Sequence, residues 1–226
     1  MLYVYALLAE APATAPGRGL AGERLRMLHL EDIVVIAGTV TVSPAPSASA
    51  LRRHDAVVRR VARGADALLP VRFGTAVAGR AALARVLAGR APALRRALEL
   101  VRGREQMTLR LFGTPAPVPS SAACDVPAAG GPGARYLAAR QAARARRARV
   151  PELSPLRPRL APLVRAERVE RHDVAPLLAT VYHLVDRGRG AEYLARLDRA
   201  ARRVQSVRVR ASGPWPAYAF APEPVA

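Results

Sequence analysis

Four histidines, one cysteine and a glycine triplet are the residues of this chain whose types and spacing invite chemistry. His29, His54, His172 and His183 show no i,i+3 or i,i+4 pairing, and Cys124 stands far from each of them. That is not the ligand spacing of a zinc site, and a lone cysteine cannot close an internal disulfide. His54 is followed by Asp55, a pairing that suits a general base. No Gly-x-Ser-x-Gly elbow or comparable nucleophile motif accompanies it. His54 therefore reads as a residue that packs or hydrogen-bonds at a helix start. Gly17, Gly19 and Gly22 match the Gly-x-Gly-x-x-Gly pattern. Pro12 and Pro16 intervene after the preceding strand, and the helix that should follow, about residues 23–30, is barely two turns. No Asp or Glu closes the next strand, where a ribose would be held. No cofactor, metal or catalytic residue is expected, and the chain reads as a non-enzyme.

Charge is the stronger signal. The net charge is +19, from 36 basic and 17 acidic residues, and every basic residue is arginine. Such a surplus favours polyanions or acidic protein surfaces as partners, and arginine pairs carboxylates in bidentate fashion. Arg140, Arg144 and Arg147 share one face of a predicted helix over 134–149, with Arg146 and Arg149 beside them. They are the candidate partner-binding residues. Apart from Tyr136 the helix lacks the interleaved aromatics of single-strand binders, and no helix-turn-helix or ribonucleoprotein signature occurs. A sequence-independent nucleic-acid binder is thus the alternative reading. Gly130-Gly131-Pro132-Gly133 has no Lys-Ser/Thr sequel and reads as a linker.

The elements that must position these residues alternate between strand and helix. Strands are predicted at 2–9 and 33–42, a helix from a Ser47 or Ser49 cap to about Arg63, and a short strand at 68–74 closing on Gly74. In the first helix Leu51, Val57, Val58 and Val61 form the expected apolar side. A helix over about 79–102 breaks near Gly89 and Pro92. Beyond it come strands at 106–112, 181–185 and 204–210, a helix at 189–202, and a Pro/Gly/Ser-rich loop at 113–133. Prolines at 151, 155, 158 and 162 interrupt the stretch after the arginine helix. The order predicts an α+β protein of two domains, 1–104 and 105–212. No apolar run is long enough to span a membrane, and the first residues lack a basic signal-peptide start, so a cytoplasmic protein is expected.

The end of the chain is unusual. Aromatics make up only 4% of the sequence, yet Trp215, Tyr218 and Phe220 cluster between and after Pro214 and Pro216. The prolines fix φ and cannot donate ladder hydrogen bonds. Residues 213–226 are expected to form an ordered, extended tail that packs across both domains near Pro70 to Gly74, with Trp215 buried.

Three segments resemble one family: Leu2-Tyr3-Val4-Tyr5; His54-Asp55-x-Val57-Val58 leading to Leu69-Pro70-Val71-Arg72-Phe73-Gly74-Thr75; and Gly213-Pro214-Trp215-Pro216-Ala217-Tyr218-Ala219-Phe220. The family is gas vesicle protein L/F (GvpL/GvpF). Gly133-x-x-Tyr136-Leu137 is similar to the start of its second-domain helix, whereas residues 10–30 align poorly. The resemblance implies a cytoplasmic, gas-vesicle-associated, non-enzymatic accessory of vesicle assembly, its second domain a modified ferredoxin-like fold. It implies the hydrophobic shell subunit and other accessory proteins as partners. The signature residues it marks as structural are His54, Pro70, Arg72, Phe73, Gly74, Gly213, Pro214, Trp215, Pro216, Tyr218 and Phe220.

Overall fold

The computed structural model describes residues 1–113, 131, 133, 150–172, 174–202, 204 and 207–222. The helix predicted over 134–149, with Arg140, Arg144 and Arg147, lies outside the described residues. The chain divides into two units, Met1–Gln106 together with the stretch from Pro214 onward, and Met107–Gly213.

In the first unit β1 (Leu2–Leu8), β2 (Leu25–Leu30), β3 (Ile33–Thr39) and β4 (Leu68–Pro70) form a sheet in the order β2-β3-β1-β4, and a short β5 (Ala76–Val77) also pairs with β1. β1 runs antiparallel to β3, β4 and β5, and β2 antiparallel to β3. β1 and β3 are continuous apolar runs because both are buried almost throughout. Helix α1 (Ala48–Arg63) starts where the Ser47 hydroxyl accepts from the Ala50 amide at 3.1 Å. Its buried stripe is Ala50, His54, Val57, Val58 and Val61, whereas Leu51 points to solvent. A histidine can replace an aliphatic residue in this stripe because both ring nitrogens find partners. Helices α2 (Arg80–Ala88) and α3 (Ala91–Val101) bury Leu83, Leu87, Leu94 and Leu98, and their break falls at Gly89 and Arg90.

The stretch at about 23–30, where a helix of barely two turns is expected, instead holds strand β2 at Leu25–Leu30. Two helical turns are marginal on their own. Here a two-residue connection at Glu31 and Asp32 lets β2 pair with β3 over its whole length, and Glu31 takes the left-handed backbone this requires (φ 51°).

The second unit is built on the sheet order β7-β8-β6-β9, from β6 (Arg104–Phe112), β7 (Val164–Arg171), β8 (Leu177–Asp186) and β9 (Arg208–Trp215), with α4 (Gly190–Ala201) after β8. Met107, Leu109 and Leu111 of β6 share its core with Val181, Val185, Tyr193 and Leu197. β7 escaped sequence reading because prolines crowd the approach to it, although the strand itself begins after the last of them. β9 starts later than expected and runs through Gly213, Pro214 and Trp215. It is a sheet edge, where a residue without an N–H is tolerated, and Gly213 supplies a backbone (φ 132°) closed to other residues. The fold is α+β with antiparallel pairing.

Candidate functional site

The signature segments meet in the first unit, around α1. His54, 3% exposed, sits against β1, where the Tyr3 hydroxyl lies 3.1 Å from its Nδ1. The Val71 carbonyl lies 3.0 Å from its Nε2. A carbonyl only accepts, so Nε2 carries the proton and Nδ1 accepts from Tyr3. The Tyr3 oxygen in turn accepts the Gly74 amide at 2.9 Å. One side chain of β1 and one of α1 thus bind both ends of the loop Val71–Gly74. Phe73 meets His54 and Tyr3 edge-on at 5.8 and 6.2 Å, and Tyr5 stacks on His54 at 5.3 Å. Gly74 has φ 86°, a conformation glycine adopts freely.

Burial sets the electrostatics of this cluster. It lowers the His54 pKa below the ordinary imidazole value and raises that of Tyr3 above the ordinary phenol value. Tyr5 is raised further, by burial and then by its hydrogen bond to Glu23. Its oxygen also accepts the Leu20 amide at 2.9 Å. A neutral imidazole with both nitrogens engaged has no free position for proton transfer to a substrate.

Asp55, the next residue of α1, faces another direction, as neighbours 100° apart on a helix must. Its carboxylate takes Arg59 at 2.7 Å through one oxygen and the Tyr218 hydroxyl at 3.1 Å through the other. The Arg59 guanidinium lies 4.0 Å from the centre of the Trp215 ring. The Ala219 amide donates to the nearly buried Gln106 side chain at 2.8 Å. Tyr218 packs with Phe73 against the core, and Tyr218–Phe220 form a 3-10 turn beside β4. The tail is therefore a strand end followed by a turn, not an extended strap. Trp215 is half-buried, not fully buried as expected; the residue of the tail with 3% exposure is Ala217.

Pro70 closes the edge strand β4 opposite Ala6 of β1. Arg72 is exposed, and its carbonyl receives the Thr75 hydroxyl at 2.9 Å. Pro214 is exposed, Pro216 and Phe220 half-buried, and the Pro216 carbonyl accepts the Tyr218 amide at 2.7 Å. Sequence reasoning missed the roles of Tyr3, Asp55 and Gln106 as partners, since each partner lies far away along the chain.

A second buried chain of polar groups occupies the other unit. His183 Nδ1 is 2.7 Å from the Tyr193 hydroxyl and its Nε2 is 2.9 Å from Glu167, which Arg157 approaches at 2.8 Å. The hydrogen bond from His183, ahead of the opposing effect of burial, lowers the Glu167 pKa. Carboxylate, imidazole and hydroxyl follow in the order of a nucleophile relay, but Tyr193 is wholly buried and no reactant reaches its oxygen. Among the described residues no cluster of His, Cys, Asp and Glu could hold a metal, and no helix is long and apolar enough to cross a membrane.

These features define an α+β protein in which widely separated segments are tied together by buried and half-buried polar groups that partner one another. The family model of the gas vesicle synthesis protein GvpL/GvpF matches residues 1–222. The chain belongs to the GvpL/GvpF family. It is 28% identical to the gas vesicle protein L of Streptomyces sp. (strain CB03234), over 97% of this chain and 92% of that protein. The crystal structures of gas vesicle protein GvpF from Anabaena sp. PCC7120 and from Microcystis aeruginosa share its fold, with TM-scores of 0.70 and 0.73. Each is 15% identical, with 98% of both chains covered.

Proposed function

We propose that this protein is a non-enzymatic accessory of gas vesicle assembly that binds the hydrophobic shell subunit and other accessory proteins while vesicles nucleate and grow. The family match over residues 1–222 carries this reading. The geometry is compatible with it: the signature residues around His54 and Tyr218 contribute architecture rather than an open reaction site. The strand order β7-β8-β6-β9, with α4 between β8 and β9, is that expected of a modified ferredoxin-like domain and supports reading the second unit as one. A cytoplasmic location follows from the same role.

On this reading the shell subunit, prone to aggregate through its apolar surface, is held by a basic face that complements its acidic positions. Arg140, Arg144 and Arg147 are the proposed docking residues. Co-purification of the tagged protein with the shell subunit is the test. Reversal of charge at these three positions weakens capture at low salt; unchanged capture refutes the stripe, and no capture by the wild type refutes the shell-subunit reading. The surplus of +19 favours a second reading, sequence-independent nucleic-acid binding. Duplex DNA binding with a steep salt dependence, tighter than binding to the shell subunit, would select it.

A further inference from the structure

We propose that the outer edge of β2 is a docking site for an extended, acidic strand of a partner protein. β2 ends its sheet. Its outward-facing backbone groups follow from two hydrogen bonds: the Leu25 amide donates to the Gly17 carbonyl at 3.0 Å, and the Glu23 carbonyl accepts the Gly19 amide at 2.8 Å. Backbone groups alternate in direction along an antiparallel strand, so Met27 and His29 also point outward. Arg80 occupies the His29 carbonyl at 2.7 Å. The Met27 amide and carbonyl and the His29 amide have no partner among the described residues, and the Met27 side chain is 40% exposed. The edge is therefore covered at one end by the Gly17–Gly19 loop and open at the other.

The chemistry beside the open stretch specifies the occupant. Arg24 and Arg26 are exposed and have no acidic partner among the described residues. Arg18 and Arg80, held by backbone carbonyls, add positive charge at either end. The nearest carboxylates are otherwise engaged or displaced: Glu23 turns inward to Tyr5, Asp32 pairs with Arg95 at 3.5 Å, and Glu31 stands at the hairpin tip. A groove of about 460 Å³ beside the strand has Leu2, Leu28 and Ala37 among its lining, with Arg26 and Arg80. An added strand sends alternate side chains to opposite faces. Its carboxylates therefore meet Arg24, Arg26 and Arg80 on the face of Leu28 and this groove, while its apolar groups lie beside the exposed Met27 on the other face. A second copy of this chain is a poor occupant, because pairing β2 with β2 gathers Arg24 and Arg26 of both copies on one face of the joined sheet. The same arginines bar self-association and select an acidic strand. This edge is read from the first unit alone and does not depend on the vesicle role.

The test uses the whole chain and a short synthetic peptide alternating valine with glutamate, against its lysine counterpart. Fluorescence anisotropy at low and physiological salt gives affinity, and amide hydrogen exchange gives the contact. The glutamate peptide binds, the lysine peptide does not, and the Met27 and His29 amides slow in exchange on binding. The exposed pair Arg24→Glu/Arg26→Glu keeps the melting curve, weakens the glutamate peptide by about tenfold or more and accepts the lysine peptide. Equal binding of both peptides, absence of binding, or binding that leaves the Met27 and His29 amides unprotected overturns the proposal. So does protection of those amides by self-association without peptide.

Discussion

Tyr218 and Asp55 lie 163 residues apart, and their contact measures how strongly the tail is held. A hydrogen bond to a charged group contributes about 1.5–3 kcal/mol. The Asp55 side chain is 34% exposed, so solvent screens the pair and about 1–1.5 kcal/mol is expected for Tyr218→Phe. Asp55→Ala removes that bond and the i,i+4 pair with Arg59, which adds about 0.3–0.5 kcal/mol. Its total is therefore about 1.5–2 kcal/mol. The double variant should be hardly worse than Asp55→Ala, a coupling of about 1 kcal/mol. Urea unfolding followed by tryptophan emission is the assay. Trp215 is the only tryptophan and belongs to the first unit, so the transition reports on that unit and on the tail itself. A coupling below about 0.3 kcal/mol with unchanged m-values would show that the hydroxyl and carboxylate do not hold the tail.

Burial holds the His54 pKa below its ordinary value of 6.5, so the native state takes up fewer protons than the unfolded chain. Its contribution is complete above about pH 6.5 and is lost as pH falls through the lowered native value. His54→Gln should therefore flatten the loss of urea midpoint between about pH 7 and 5 and lower stability at neutral pH by roughly 1–3 kcal/mol. An unchanged slope would refute this. Trp215→Ala should cost about 1–2 kcal/mol, below the 3–5 of a fully buried ring, because the ring is half-buried and its cation contact with Arg59 lies near solvent. Gly74→Ala meets open space but forces φ 86° on a side chain, and should cost about 1 kcal/mol by thermal melting; Gly74→Asn should cost less.

Local pattern carries only part of this structure. The apolar runs of β1 and β3, the Ser47 cap and the break between α2 and α3 are written in neighbouring residues, and each is legible there. β2 is not, because Leu-Arg-Met-Leu-His-Leu suits either a short helix or an edge strand until its hairpin with β3 is known. The polar locks are less legible still. Tyr3 meets His54 across 51 residues, and Ala219 meets Gln106 across 113. In the second unit Glu167 and His183 face each other in the ladder of β7 and β8, which is invisible while β7 is unrecognised.

Once these pairings are seen, the two adjacent residues His54 and Asp55 explain why the separate signatures belong together. α1 has one rotational setting that turns His54 toward Tyr3 and Val71 and, a helical step later, Asp55 toward Tyr218. Rotating the helix enough to free either side chain would unpair the other. It would leave a buried imidazole without its two partners, which costs more than an unmade surface contact. The central signature therefore fixes the position of the tail through the orientation of a single helix. The half-buried Trp215 stacks under Arg59 as a consequence of that setting and does not determine it.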